Sequence, residues 1–128
     1  MRPAKGRGAV VSPETFFEGH DRSRPLFHAV SAAVARIGPA ALSVTRSQIA
    51  FRRRRAFAWV WIPGRYLKGQ TPPLVLSLVL TRRDPSPRWK EIAALPDGRF
   101  MHHLELRTTR AIDDAVVALL AEAWAAAA

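Results

Sequence analysis

Two hydrophobic periods divide the chain. Between Arg24 and Ile37 the apolar residues Phe27, Val30, Val34 and Ile37 fall three and four apart, the spacing of one helix face. Gly38-Pro39 stops that helix. Upstream, Ser12-Pro13-Glu14 reads as an N-cap, a proline at the first helical position and an acid near the positive helix end. A short helix through Phe17 is therefore expected. From Leu42 the period becomes two. Leu42 and Val44, Ile49 and Phe51, and the run Phe57 to Trp61 read as strands, ended by Pro63-Gly64. Pro72-Pro73 opens a strand from Leu74 to Thr81, closed by Arg82-Arg83-Asp84-Pro85. Ser86-Pro87 predicts a short helix carrying Trp89 and Ile92, and a strand follows over Arg99 to Leu106. A last helix, Arg110 to Trp124, places Ile112, Val116, Leu120 and Trp124 on one stripe.

Helices, then about five strands, then a helix predict an α+β fold. The expected architecture is one mostly antiparallel sheet with the N-terminal and C-terminal helices packed on one face. Residues 1–11 are expected to be a basic disordered tail and residues 12–128 a single domain.

The stretch from Phe51 to Trp61 joins four arginines to aromatic strand residues, and its meaning depends on hairpin parity. Side chains alternate along a strand, so the loop length decides which residues share a face. An odd loop pairs Phe51 with Phe57 and Ile49 with Trp59, sending every bulky residue to the core. An even loop pairs Phe51 with Ala58 and exposes Phe57, Trp59 and Trp61 beside Arg52. The odd register separates bulky from small residues more cleanly and is the one expected. In the last strand, Phe100, Leu104 and Leu106 share one parity, and Met101, His103 and Glu105 the other.

Composition narrows the chemistry. A chain of 128 residues with 48% hydrophobic content supports one packed core. The absence of cysteine removes disulfides, thiolate metal sites and cysteine nucleophiles. The longest apolar run, Leu74 to Leu80, is too short for a bilayer, and no signal-peptide apolar region follows Arg2, Lys5 and Arg7. A cytoplasmic, soluble protein without a membrane association is the expectation. The net charge of +10 favours encounter with anions. Seventeen of the twenty basic residues are arginine, a bias that GC-rich codon usage also produces.

Basic clusters supply the leading candidate site: Arg52, Arg53, Arg54 and Arg55, Arg82 and Arg83, and Arg88 and Lys90 around Trp89. Arginine forks suit phosphates, and an exposed tryptophan can stack a base. Against this stands the ordinary reading of charge runs as solvated faces and of Trp89 as a core plug. A second candidate set comprises Arg65, Tyr66, Lys68, His102, His103 and Glu105, beside an outer sheet face of small apolar residues. His102 and His103 are adjacent on a strand and face opposite ways, so they cannot share one metal. No metal-ligand spacing, nucleophile elbow, phosphate-binding glycine loop or cofactor motif occurs, so neither a metal nor a cofactor is expected.

Several segments carry a family likeness: Val44 to Phe51, Trp59-Val60-Trp61, Arg65-Tyr66-Leu67-Lys68, Ser86 to Glu91, and Met101 to Leu106. Together they resemble a small bacterial family of unknown function, the domain of unknown function 5655 type. Distant relatives of that family form the C-terminal part of so-called predicted transport proteins. The resemblance runs from about Phe16 to Trp124 and implies an α+β domain, with no catalytic residues or cofactor attached. The functional expectation is a non-enzymatic module binding an anionic partner, nucleic acid first. The alternative is a small-molecule or protein-interaction domain using the outer sheet face around His103. A pocket lined by His103, Glu105 and Lys90, instead of an open basic ridge, would favour the alternative.

Overall fold

A computed structural model describes residues 11–128. The basic tail expected over residues 1–11 lies, but for Val11, outside the described residues. Val11 itself packs partly buried against the core.

The first helix, α1 (Pro13–Phe16), begins as its sequence dictates, with Ser12 Oγ accepting the Thr15 backbone N–H. Helix α2 (Arg24–Ile37) buries Leu26, Phe27, Val30, Ala33 and Val34. Ser23 makes no side-chain cap for α2; its Oγ donates to the Pro73 carbonyl at 2.6 Å and ties the helix start to the loop before the fourth strand. Gly38 follows α2 because the Trp124 indole lies where a Cβ would stand.

Six strands follow: β1 (Ala41–Val44), β2 (Ile49–Arg52), β3 (Ala56–Trp61), β4 (Leu74–Leu80), β5 (Glu91–Ala94) and β6 (Phe100–Leu106). They form one antiparallel sheet in the order β1-β2-β3-β4-β6-β5. Helix α3 (Asp114–Ala126) closes the chain, its Asp113 carboxylate accepting the Val116 N–H. The α+β architecture is the expected one, with six strands in place of about five. The sixth is β5, where a short helix from Ser86 was expected. Residues 87–88 turn, and Lys90 N–H then donates to the His103 carbonyl at 2.8 Å. That bond starts the β5–β6 ladder, and an available strand edge overrides a weak local helix preference. The last helix also starts later than expected, after a 3-10 turn over Thr109–Ala111.

All helices cover one face. Leu74, Leu76, Leu78 and Leu80 of β4 join Phe16, Phe17, Phe27, Val116 and Leu120 in a single cluster. Leu104 and Leu106 of β6 lie on this face too, as their parity requires. No helix among the described residues is long and apolar enough to cross a membrane.

The β2–β3 hairpin corrects the expected register. Its turn holds the three residues between Arg52 and Ala56, an odd loop as anticipated, and Arg52 pairs with Ala56. One step further the register shifts, and Phe51 pairs with Ala58. Phe57 is the extra residue of a β-bulge, which re-aims its side chain. Phe57 and Ala58 both enter the core, at 1% and 0% exposure. Beyond the bulge the parity is reversed, so Val60 is inside while Trp59 and Trp61 stand half-buried on the outer face. The physical reason is volume. Phe17, Phe27 and Phe51 already stack above this hairpin, and a filled core does not admit two more indoles without strain.

Among the described residues His102 is the one titratable side chain wholly inside the core, at 0% exposure. Its Nε2 accepts the Asp84 N–H at 3.0 Å, which leaves Nδ1–H to donate to the Phe100 carbonyl at 3.1 Å. Burial pushes its pKa below 6.5, only partly offset by the Phe100 bond and Asp84. The unfolded chain therefore takes up a proton that the folded chain refuses, so stability is full above about pH 6.5 and falls as the pH drops below it. His20 and His103 shift the same way. The urea midpoint should decline between pH 7.5 and 5, and His102→Gln should make that decline shallower; an unchanged slope would contradict the neutral, core-bonded His102.

Candidate functional site

Most of the arginine candidates have partners within the fold. Arg53 donates from Nη1 to the Trp124 carbonyl at 3.0 Å, and its guanidinium lies 3.6 Å from the centre of the Trp124 ring. Arg54 N–H donates to the Ala127 carbonyl. The turn thus caps the C-terminal end of α3, where the helix dipole favours a cation. Arg82 grips Glu122 of α3 with two bonds of 2.9 and 2.8 Å. Arg83 lies 5.1 Å from the Phe100 ring centre. Arg88 bonds Asp113 at 3.1 Å, bridging the β4–β5 connection to the start of α3.

Trp89 is half-buried against the core, edge-on to His102 with ring centres 4.9 Å apart. Its Nε1–H donates to Asp84 at 2.8 Å. Burial disfavours the Asp84 carboxylate, yet the bonds from Trp89, Ser86 and Arg82 outweigh it and hold the carboxyl below its usual range. Trp89 is therefore a bonded plug of this corner. Among these candidates Arg52, Arg54, Arg55 and Lys90 are exposed, with no side-chain bond among the described residues.

The second candidate set is split differently. Arg65 ties the loop after β3 to the N-terminal segment. It donates to the Phe16 carbonyl and, at 2.9 Å, to the Arg46 carbonyl, with its guanidinium over the Phe16 ring. Tyr66 points to solvent at 56% exposure. His102 belongs to the helix-covered face, as described above. Lys68, His103 and Glu105 come together, and Lys90 from the basic set joins them.

These four line a cleft of about 640 Å³ on the outer sheet face, with Trp61, Leu67, Val75 and Glu91. Its floor follows from register. Trp61, Val75 and Glu105 form one cross-strand row, and Trp59, Ser77, His103 and Glu91 the next, of which His103 and Glu91 line the cleft. The loop of residues 62–73 forms one wall, contributing Pro63, Leu67, Lys68, Gln70, Thr71 and Pro72. Trp61 and His103 lean across β4 and meet edge to face, ring centres 6.5 Å apart. Together with Trp59 and Met101 they shield Val75, Ser77 and Val79, which are buried although no helix of the described residues covers this face.

Below the two rings runs a hydrogen-bonded chain. Trp61 Nε1–H donates to Ser77 Oγ at 3.1 Å, and Ser77 Oγ lies 2.6 Å from His103 Nδ1. Burial pushes the His103 pKa down, with Glu91 acting in the opposite direction. Ser77 is only 3% exposed and its oxygen accepts the Trp61 N–H, so little of it faces the cleft although His103 lies within hydrogen-bond reach. Among the described residues no three His, Asp or Glu side chains gather as metal ligands.

Sequence reasoning missed Trp61, Ser77 and Glu91 in this site. The parity of β4 and β6 already placed Ser77 and His103 on one face; the unforeseen bulge hid Trp61. A second groove, about 430 Å³, lies between the end of α2 and β1, lined by Val34, Ala35, Leu42 and Phe51. It has no charged lining residue to orient a ligand.

The contrast between Arg53 and Arg54 is testable by urea unfolding. Arg53→Ala removes a charged hydrogen bond and a ring contact and should cost about 1–2 kcal/mol. Arg54→Ala keeps its backbone bond and should stay within about 0.5 kcal/mol. Equal effects would contradict the capping role of Arg53.

No curated protein and no solved structure matches the chain. A family model matches residues 14–127, nearly the whole described length. The chain accordingly belongs to the family described as Domain of unknown function (DUF5655).

Proposed function

We propose that this protein is a small-molecule-binding domain whose site is the outer-face cleft over Ser77. The single observation carrying this reading is the convergence of Trp61, Lys68, Lys90, Glu91, His103 and Glu105 on one concave surface. Its volume of about 640 Å³ lies within the range of small-ligand sites, and it sets the apolar surfaces of Trp61, Pro63, Leu67, Pro72 and Val75 beside these polar groups. Leu67 adds an argument: it is 57% exposed at the rim, an apolar surface that a ligand would cover. The reading is non-enzymatic, because the hydroxyl beside His103, that of Ser77, is only 3% exposed and already accepts the Trp61 N–H.

A second reading, an open anion contact at the β2–β3 turn, is favoured by the exposed side chains of Arg52, Arg54 and Arg55. Nucleic acid would be its partner. Three phosphate contacts would give a log–log salt slope of about −2.7. The arginines already paired with Glu122, Asp113 and the Trp124 carbonyl add little to such a surface.

Both readings are separated by one spectroscopic screen. A library of small acids, amines and neutral aromatics should shift the indole N–H of Trp61 and the methyl signals of Leu67. Leu67→Ala or Lys68→Ala should weaken the best binder about threefold or more, a loss of about 0.6 kcal/mol, without lowering the melting temperature. A library that leaves Trp61 untouched would remove the cleft reading. Oligonucleotides shifting Arg52, Arg54 and Arg55 with the stated salt slope would promote the second.

A further inference from the structure

We propose that the cleft is built for a small zwitterion with an apolar body, of which a free aromatic or aliphatic α-amino acid is the simplest example. This rests on the reading of the outer-face cleft as the ligand site and names the chemistry it selects.

The first argument is the direction of the hydrogen-bonded chain. An indole N–H can only donate, so Ser77 Oγ accepts from Trp61 and its own hydrogen is free to turn to His103. Assigning that hydrogen to His103 makes Nδ1 the acceptor and places the proton of the neutral imidazole on Nε2. Among the described residues Nε2 has no partner. The cleft thus presents a fixed N–H donor, which asks for a carboxylate or carbonyl oxygen on the ligand. Lys68 and Lys90 line the same space, and neither has an acid partner among the described residues. Three donors, two of them cationic, therefore await an anionic group.

The second argument is the opposite charge on the floor. Glu91 is the direct cross-strand neighbour of His103, and Glu105 lies two residues along β6 on the same face. Glu91 has no cationic partner among the described residues, and Glu105 bonds Arg107 at 3.3 Å. A ligand bearing only a carboxylate would be repelled by these acids, and one bearing only an amine would be repelled by the lysines. A ligand with both groups satisfies both sets. Trp61, Val75, Leu67, Pro63 and Pro72 supply the apolar surface for its body.

The test uses the full chain with three probes of one shape: L-phenylalanine, 3-phenylpropionate lacking the amine, and 2-phenylethylamine lacking the carboxylate. Calorimetry should show L-phenylalanine binding at least about tenfold more tightly than either analogue, a difference of about 1.4 kcal/mol. Glu91→Gln should bring L-phenylalanine and 3-phenylpropionate close to equal affinity. The double change Lys68→Ala with Lys90→Ala should do the same for L-phenylalanine and 2-phenylethylamine. Ring nitrogen shifts should report His103 with its proton on Nε2, and Ser77→Ala should release that preference.

Equal binding of either single-charge analogue to the unaltered chain would overturn the zwitterion while leaving the cleft as a ligand site. The same conclusion follows if none of the three probes binds while neutral fragments still shift Trp61. A His103 proton on Nδ1 would overturn the donor argument. Silence of Trp61 toward every probe and fragment would instead sink the underlying cleft reading.

Discussion

One extra residue in β3 governs both faces of the sheet. The bulge at Phe57 lets Phe51 pair with Ala58, and side chains further along the strand change faces as a result. Phe57 still reaches the core, so the helix-covered side loses no large anchor from that position. Trp59 and Trp61 are released to the other side. Without that change of parity Ser77 would have no indole above it, and the cleft would lack its flat apolar wall.

The two faces then solve different problems. The helix-covered face is a conventional core of leucines and phenylalanines, with His102 bonded at both ring nitrogens inside it. The other face carries no helix among the described residues, and its central strand is covered by the side chains of its neighbours. A serine buried in that position would be costly alone. The bonds to Trp61 and His103 satisfy it, and they orient both rings. Stability and site geometry therefore come from the same three residues.

Four arginines fasten elements together. Arg53 holds the end of α3, Arg82 a side of it, Arg88 its start, and Arg65 the N-terminal segment. Exposed ion pairs of this kind are individually weak. Those of Arg82 and Arg88 each bridge segments distant in sequence, however, and the Arg53 contact adds a stacked ring to a helix cap. Those four arginines are thereby occupied, while two lysines, Lys68 and Lys90, stand over the cleft without acid partners among the described residues.

Local signals were legible because their physics is local. The ends of α2, the Ser12 cap, the limits of β4 and the alternation of β6 all follow from spacings and turn residues within a few positions. The same alternation sends His102 and His103 to opposite faces, and the absence of cysteine excludes its chemistry outright. Other features depended on distant residues. The bonds of Trp89, Arg88 and Arg82 to Asp84, Asp113 and Glu122 were among them. The β5 strand needed the free edge of β6, and the cleft needed the 62–73 loop beside β4 and β6. The register of Trp61 was decided by the space left between two helices and a sheet, because close packing fixes volume over the whole core while sequence periodicity fixes only direction along one strand.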